Sequence, residues 1–369
     1  MAKSAYIGVD GVARKIKKMY FGVDSKARKV KKGYIEVGGV ARPFFSGETA
    51  VYYGTITPLS RGRNWSGGAS VGDYAIFGGG GYHLNTKITY VNDVDAYSSN
   101  LVKGEVANLG TARRVGAAAS VGDYAIFSGG STTSISVRTV DAFNSELVHI
   151  VATESSVSRA NCDATTVGNY ALFAGGRAAN GENAQTVEVY NSGLVRSVAA
   201  DLSNGKQGMA ATTVGDFAIF AGGNRSAQVR SPNDSVDVFS NNLVKSTATA
   251  LSQKRLGAAA TTVGNYAIIA GGGAESGGIC SVETYNVELV KSAAPNLSNV
   301  GAGTAVTIGA IALVLFEIAV DTEVYDENLV KSTVPGLSEA RDGIAATTVG
   351  KFALIAGGSS TAIVDAYTF

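Results

Sequence analysis

Cysteine, histidine, proline and tryptophan are nearly missing from this chain of 369 residues, which holds 2, 2, 5 and 1 of them. Two Cys cannot build a disulfide framework, and with two His they leave little for a metal site, so no metal or other cofactor is expected. Charge is also sparse, at 17% of residues, with 31 Lys and Arg against 30 Asp and Glu. The opening MAKSAYIGVD lacks the apolar stretch of a secretory signal, and none is expected. What is abundant is glycine, with 47 residues, over a hydrophobic content of 45%. That is ample for a buried core and suits many short strands joined by tight turns better than long helices.

The charge is unevenly placed. Residues 1–46 hold 11 Lys and Arg against 3 Asp and Glu, a net of +8, leaving 20 against 27, a net of −7, for residues 47–369. Two units are therefore expected, divided at these positions.

The second unit is a repeat. The string V-G-[DN]-[YF]-A begins at Val71, Val121, Val167, Val214 and Val263, with weaker copies at Ile308 and Val349. The spacings are 50, 46, 47, 49, 45 and 41 residues, long enough for a supersecondary unit in each copy. The fifth copy reads as four strands. Gly257–Val263 is built of small residues, and Gly264-Asn265 turns the chain. Tyr266–Ala270 is apolar throughout, Val282–Tyr285 alternates, and Leu289–Ala293 completes the set. Four strands at this period make a propeller blade, and seven copies make seven blades. The last copy ends after three strands at Phe369, while Val51-Tyr52-Tyr53 leading to Leu59-Ser60 aligns with Leu243-Val244-Lys245 leading to Leu251-Ser252. Residues 50–57 are therefore expected to supply the missing strand and close the ring. The apolar run at 305–320 is split by the repeat into two strands, and no membrane span is expected.

The Gly doublets at Gly79-Gly80, Gly129-Gly130, Gly175-Gly176, Gly222-Gly223, Gly271-Gly272 and Gly357-Gly358, each followed by V-[DE]-x-[YF], resemble those of kelch-type propellers. The resemblance covers residues 49–369. It departs in the fourth strand, where Leu-Val stands in place of the family's Trp, and in blade six, where Phe316-Glu317 replaces the doublet. It implies an all-β, seven-bladed kelch-like β-propeller, and it says little about function because propellers host many activities.

The leader has a period of 14: YIGVDGVARKIKKM, YFGVDSKARKVKKG and YIEVGGVARPFFSG, from Tyr6, Tyr20 and Tyr34. Each copy reads as a short apolar strand, a turn and a basic strand, so a β-hairpin-repeat region is expected. Three such hairpins have little core of their own. Arg14, Lys15, Lys17, Lys18, Arg28, Lys29, Lys31 and Lys32 are the candidate partner-docking residues. These copies resemble the YIGVDGVARK-type stretches of phage and prophage virion proteins of Gram-positive bacteria. That resemblance implies a virion structural protein, tail-associated or of the baseplate, synthesised in the host cytoplasm and part of an oligomeric assembly. Other virion or tail proteins would be its partners through residues 1–46.

Eight residues before the repeat anchors stand Arg63, Arg113, Arg159, Lys206, Arg255 and Arg341, with Val300 in blade six. The acid of V-[DE]-x-[YF] is present in all seven: Asp95, Asp141, Glu188, Asp237, Glu283, Glu323 and Asp365. A residue repeated in nearly every blade reads as architecture, so each base is expected to pair with an acid or a carbonyl. The loops after the doublets are longest in blades one and four. Their Tyr82, His83, Asn85, Tyr90, Asn224, Arg225 and Arg230 are the candidate ligand-binding residues for a host-surface glycan or protein.

No catalytic residue is assigned and no enzyme is expected. His83 and His149 are isolated and cannot supply the two His and two Tyr of the copper site in kelch-type oxidases. Cys162 and Cys280 read as packing residues. GGGG at Gly78–Gly81 lacks the Gly-Lys-Ser/Thr of a phosphate loop. Nucleic acid is not expected as a partner, because aromatics are not interleaved with the leader's bases. The competing expectation is a carbohydrate-active enzyme or lectin-like propeller acting on cell-wall glycan.

Overall fold

A computed structural model describes residues 49–369 except 86, 302 and 317–320, together with the backbone of six leader strands. The leader strands form three antiparallel hairpins: Tyr6–Val9 with Val12–Lys15, Met19–Val23 with Lys26–Val30, and Lys32–Val37 with Val40–Ser46. Arg14 lies opposite Ile7 and Arg28 opposite Phe21. Lys32, expected in the basic strand of the second copy, instead opens the first strand of the third hairpin. Lys17, Lys18 and Lys31 lie outside the described residues, as do the side chains of the other leader bases.

Residues 51–368 form seven four-stranded antiparallel sheets, numbered here as blades 1 to 7 from the repeat anchors. In blade 5 the strands are Ala259–Val263, Tyr266–Ala270, Val282–Asn286 and Lys291–Ala294, paired in that order from the axis outward. Blade 7 takes Ala345–Val349, Phe352–Ala356 and Val364–Thr368 from the C-terminus and Val51–Thr55 from the other end of the ring. The run at 305–320 divides into Thr304–Ile308 and Ile311–Leu315 around Gly309.

Burial explains the sequence of each strand. The second strand is covered on both faces and therefore reads as unbroken apolar residues, such as Ile311–Leu315. The first strand carries small residues because neighbouring blades crowd it. A Cβ on Gly67, for example, would lie 2.9 Å from the Phe127 ring. The core is a set of clusters between sheets, such as Leu313 and Leu315 of blade 6 with Ala353, Ile355 and Tyr367 of blade 7.

Leu-Val does not occupy the fourth strand as expected. It lies in the turn before it, with Leu101, Leu147, Leu194, Leu243, Leu289 and Leu329 all at φ 57 to 63°. Each leucine leaves the strand line so that its side chain can pack against a core cluster.

The first strands are also stitched to each other. Ser120 Oγ donates to Ser70 O at 2.5 Å, Thr213 Oγ1 donates to Thr166 O at 2.7 Å, and Thr166 and Thr262 repeat the pattern toward Ser120 O and Thr213 O. Threonines such as Thr165, Thr212, Thr261 and Thr347 line an axial cavity of about 450 Å³.

Each first strand runs from one face of the disc to the V-G turns on the other. The Gly doublets and the loops after them lie at the start of the first strands, which is the mouth face. The V-G turns and the turns before the fourth strands lie on the turn face.

Candidate functional site

The repeated acids and bases form buried nodes. Arg63, Arg113, Arg159, Lys206 and Arg255 are 0% exposed and Arg341 is 1% exposed. They meet Asp95, Asp141, Glu188, Asp237, Glu283 and Asp365 at 2.7, 2.7, 3.5, 2.9, 2.7 and 2.7 Å. The arginines also donate to carbonyls that the Gly doublets leave unpaired, as Arg113 Nε does to Gly129 O at 2.8 Å. Burial is the largest effect on Asp95, Asp141 and Asp237 and works against ionisation, but the facing Arg63, Arg113 and Lys206 and the hydrogen bonds each carboxyl accepts together outweigh it and hold the carboxyls below the usual range.

A second base reaches each acid from the fourth strand: Lys103, His149, Arg196, Lys245, Lys291 and Lys331, at 2.6 to 3.3 Å. In blade 7 the Tyr52 hydroxyl takes that place, donating to Asp365 at 2.7 Å. A backbone amide completes each node, for instance Ser252 N to Glu283 at 2.9 Å. The sequence reading missed this second base, although its signal, a base directly after Leu-Val, is repeated in six blades. Blade 6, with Val300 at the first position, holds Glu323 with Lys331 and the Ser298 amide.

The open chemistry lies on the mouth face. Two recesses of about 400 and 330 Å³ adjoin there and share Arg114 and Asn161. The larger adds Asp163, Gln207 and Asn224, and the smaller adds the hydroxyl-rich stretch Ser131–Ser136. Arg114 lies 5.1 Å over the ring of Trp65, the chain's sole tryptophan. Asn161 Nδ2 donates to Gln207 Oε1 at 3.1 Å, and Met209 N donates to Asp163 Oδ2 at 2.8 Å. Burial pushes the Asp163 carboxyl up to about 7, with the Met209 amide and the Lys206 charge pulling the other way. Cys162 is buried beside it, and burial pushes its thiol up to about 12. A neutral, buried thiol is chemically quiet.

The loop candidates are only partly gathered at this site. Asn224 lines the larger recess, but its side chain is spent on its own loop, donating to Ser226 O and Val229 O and accepting from Ser231 N. His83 sits edge-on to Trp65 at 5.9 Å. Tyr90 is near enough to Arg114 to counter the burial that pushes its guanidinium below the usual range. Tyr82 is taken by Arg61, at 5.7 Å. Asn85 is exposed at the tip of an added hairpin, Gly81–Leu84 with Lys87–Tyr90. Arg225 is exposed, and Arg230 lies against Gly273 of blade 5. Trp65, Arg114, Asn161 and Asp163 were not among the sequence candidates. Among the described residues no three His, Cys, Asp or Glu side chains gather where they could hold a metal ion.

No protein-family model matches the chain, and no curated protein matches it. Solved structures do match, among them one described as the structure of YjhT. It is 14% identical, the match covers 75% of this chain and 99% of that one, and the TM-score is 0.57. At that identity the likeness bears on the fold alone. Backbone pairing and this structural likeness agree that the chain folds as a seven-bladed β-propeller.

Proposed function

We propose that the chain is a non-enzymatic structural protein of a phage or phage-tail-like particle. Residues 1–46 dock on the particle, and a kelch-type propeller turns its mouth face to the host surface. The particle role rests on the leader's resemblance to virion proteins, and the outward mouth on one observation: the chain enters the propeller on the face opposite the recesses. Val51 pairs with Thr368, beside the Val349–Phe352 turn, so the fourth strand of blade 7 starts on the turn face. A unit held by residues 1–46 would therefore leave its polar mouth free, on loops carried by a rigid scaffold.

The test is capture from lysed producer cells, using the full chain and a charge-reversed form with Lys15, Lys17, Lys29 and Lys31 changed to Glu. Capture of particle proteins by the first alone supports docking through the leader. Equal capture by both moves the attachment surface to the propeller.

A carbohydrate-active enzyme is the second reading, favoured by the raised carboxyl of Asp163 in the recess. Glycoside hydrolysis ordinarily needs two carboxylates flanking the bond. Asp163 is the one carboxylate lining the two recesses among the described residues, which supports binding over cleavage.

A further inference from the structure

We propose that the two adjoining recesses form a saccharide site anchored on Arg114, whose ligand carries a carboxylate or phosphate on a polyhydroxylated ring. The inference rests on the outward-facing reading only for where that ligand comes from.

Arg114 differs from every base of the nodes. Its guanidinium makes no ion pair or hydrogen bond among the described residues, although it is half-buried. Its nitrogens still reach water, so an incoming anion would meet an accessible, unpaired cation that the indole already holds in place. The guanidinium lies over the face of Trp65 with Tyr90 nearby, an arrangement that leaves its N–H groups free for a ligand.

Trp65 is itself held at a cost. The residue two places after the node base is Gly208, Gly257 and Gly343 in blades 4, 5 and 7, at φ 58, 59 and 65°. In blade 1 the same position is Trp65, at φ 56°. A bulky residue in the left-handed region is uncommon and strained, and such strain gathers at functional sites. The tryptophan has room because its blade-7 neighbour is glycine. A Cβ on Gly343 would lie 3.0 Å from its Cδ1 and Nε1.

Asn161 is the counterpart in blade 3, at φ 53°. Its Nδ2 is used by Gln207, but its Oδ1 accepts no hydrogen bond among the described residues. That oxygen is closed to solvent as the side chain stands, so it takes a ligand hydroxyl when the amide turns toward the recess. Ser134 and Ser136 line the smaller recess beside Thr132, whose hydroxyl is spent on Ile135 O, and Gln207 lines the larger. An anionic group on Arg114 with ring hydroxyls directed to Asn161 satisfies the free donor and the free acceptor together. The adjoining recesses, about 400 and 330 Å³, leave room for a second ring.

Because Trp65 is the only tryptophan, its emission reports this site without labelling. The full chain is titrated with a hexuronate oligosaccharide, a hexose-phosphate oligomer, a neutral glucose oligomer of equal length, and inorganic phosphate. A saturable change in emission with the uronate or the hexose-phosphate oligomer is expected, and the arm that responds identifies the anion. The neutral oligomer should bind at least tenfold more weakly. Arg114→Met should abolish the response, and Arg114→Lys should weaken it by about tenfold. Gly343→Ala, which crowds Trp65, should weaken it without touching the ligand. The proposal is overturned by equal binding of the neutral oligomer, by a response to inorganic phosphate alone, or by unchanged binding of the Arg114→Met form measured calorimetrically. If the charge-reversed leader loses the particle while the titration is unchanged, docking and the saccharide site stand separately. If leader charge proves irrelevant to capture, the titration still judges the site.

Discussion

Asp163 and the node acids show how one residue type takes opposite roles in this molecule. Asp95, Asp141 and Asp237 each face a buried base and are held ionised. Asp163 has the Met209 amide and, at longer range, Lys206, with Arg114 across the recess and the neutral Cys162 beside it. Burial wins, and its carboxyl titrates at about 7 instead of near 4. The folded state then binds more protons than the unfolded chain between about pH 4 and 7. Stability from this group is full below that window, falls as pH rises through it, and is flat above. Asp163→Asn keeps the oxygen that accepts from Met209 and removes the titration. We expect it to be more stable than the parent at pH 8, by an amount on the order of 1–4 kcal/mol, and equal near pH 4. Denaturant melts of both forms at the two pH values measure this. A parent whose midpoint does not fall between pH 5 and 8 would refute the assignment.

At the scale of elements, each blade joins its strands with two devices. The buried node ties the start of a blade to its third and fourth strands. Arg255→Met strips the innermost base from Glu283 and leaves it Lys291 and the Ser252 amide. Loss of one partner from a buried pair costs about 3–5 kcal/mol. Adding Glu283→Gln should recover part of that, and a double-mutant cycle on denaturation midpoints checks the coupling. The left-handed leucines are the second device. Leu243→Gly relieves about 1–2 kcal/mol of strain but gives up the packing of a partly buried side chain, worth about 1–2 kcal/mol. The two nearly cancel, so the net loss should be under about 1 kcal/mol. Leu251→Ala, a fully buried leucine at 4% exposure with ordinary backbone, should lose about 2–5 kcal/mol. If the two variants melt alike, the strain at Leu243 is not real.

The whole molecule is a ring, and its seam is Val51–Thr55 against Val364–Thr368. Tyr52 holds that seam twice, by its hydroxyl on Asp365 and by its ring edge-on to Tyr367 at 5.4 Å. Burial and the Asp365 contact push its phenol up to about 12, so it remains a donor throughout the physiological range. Tyr52→Phe should cost about 1 kcal/mol and Tyr52→Ala about 2–3 kcal/mol. Hydrogen exchange should then quicken first in blade 7 and its neighbours, while blades 3 and 4 stay protected. Uniform acceleration around the ring would argue against a local seam.

Blade number, strand type, ring closure and the pairing of repeated acids with repeated bases were readable because each depends on residues close in sequence and restated in every copy. Leu-Val was misplaced because a leucine at positive φ defies local preference, and only the core clusters it fills reveal the reason. The mouth could not be read that way. Trp65, Arg114 and Asn161 come from three different blades, at positions that the repeat does not hold constant. Strand propensity and turn chemistry act over a few residues and so determined the blades. The recess exists only where blades 2 to 5 converge, and that convergence, through contacts between residues far apart in the chain, decided which side chains meet there.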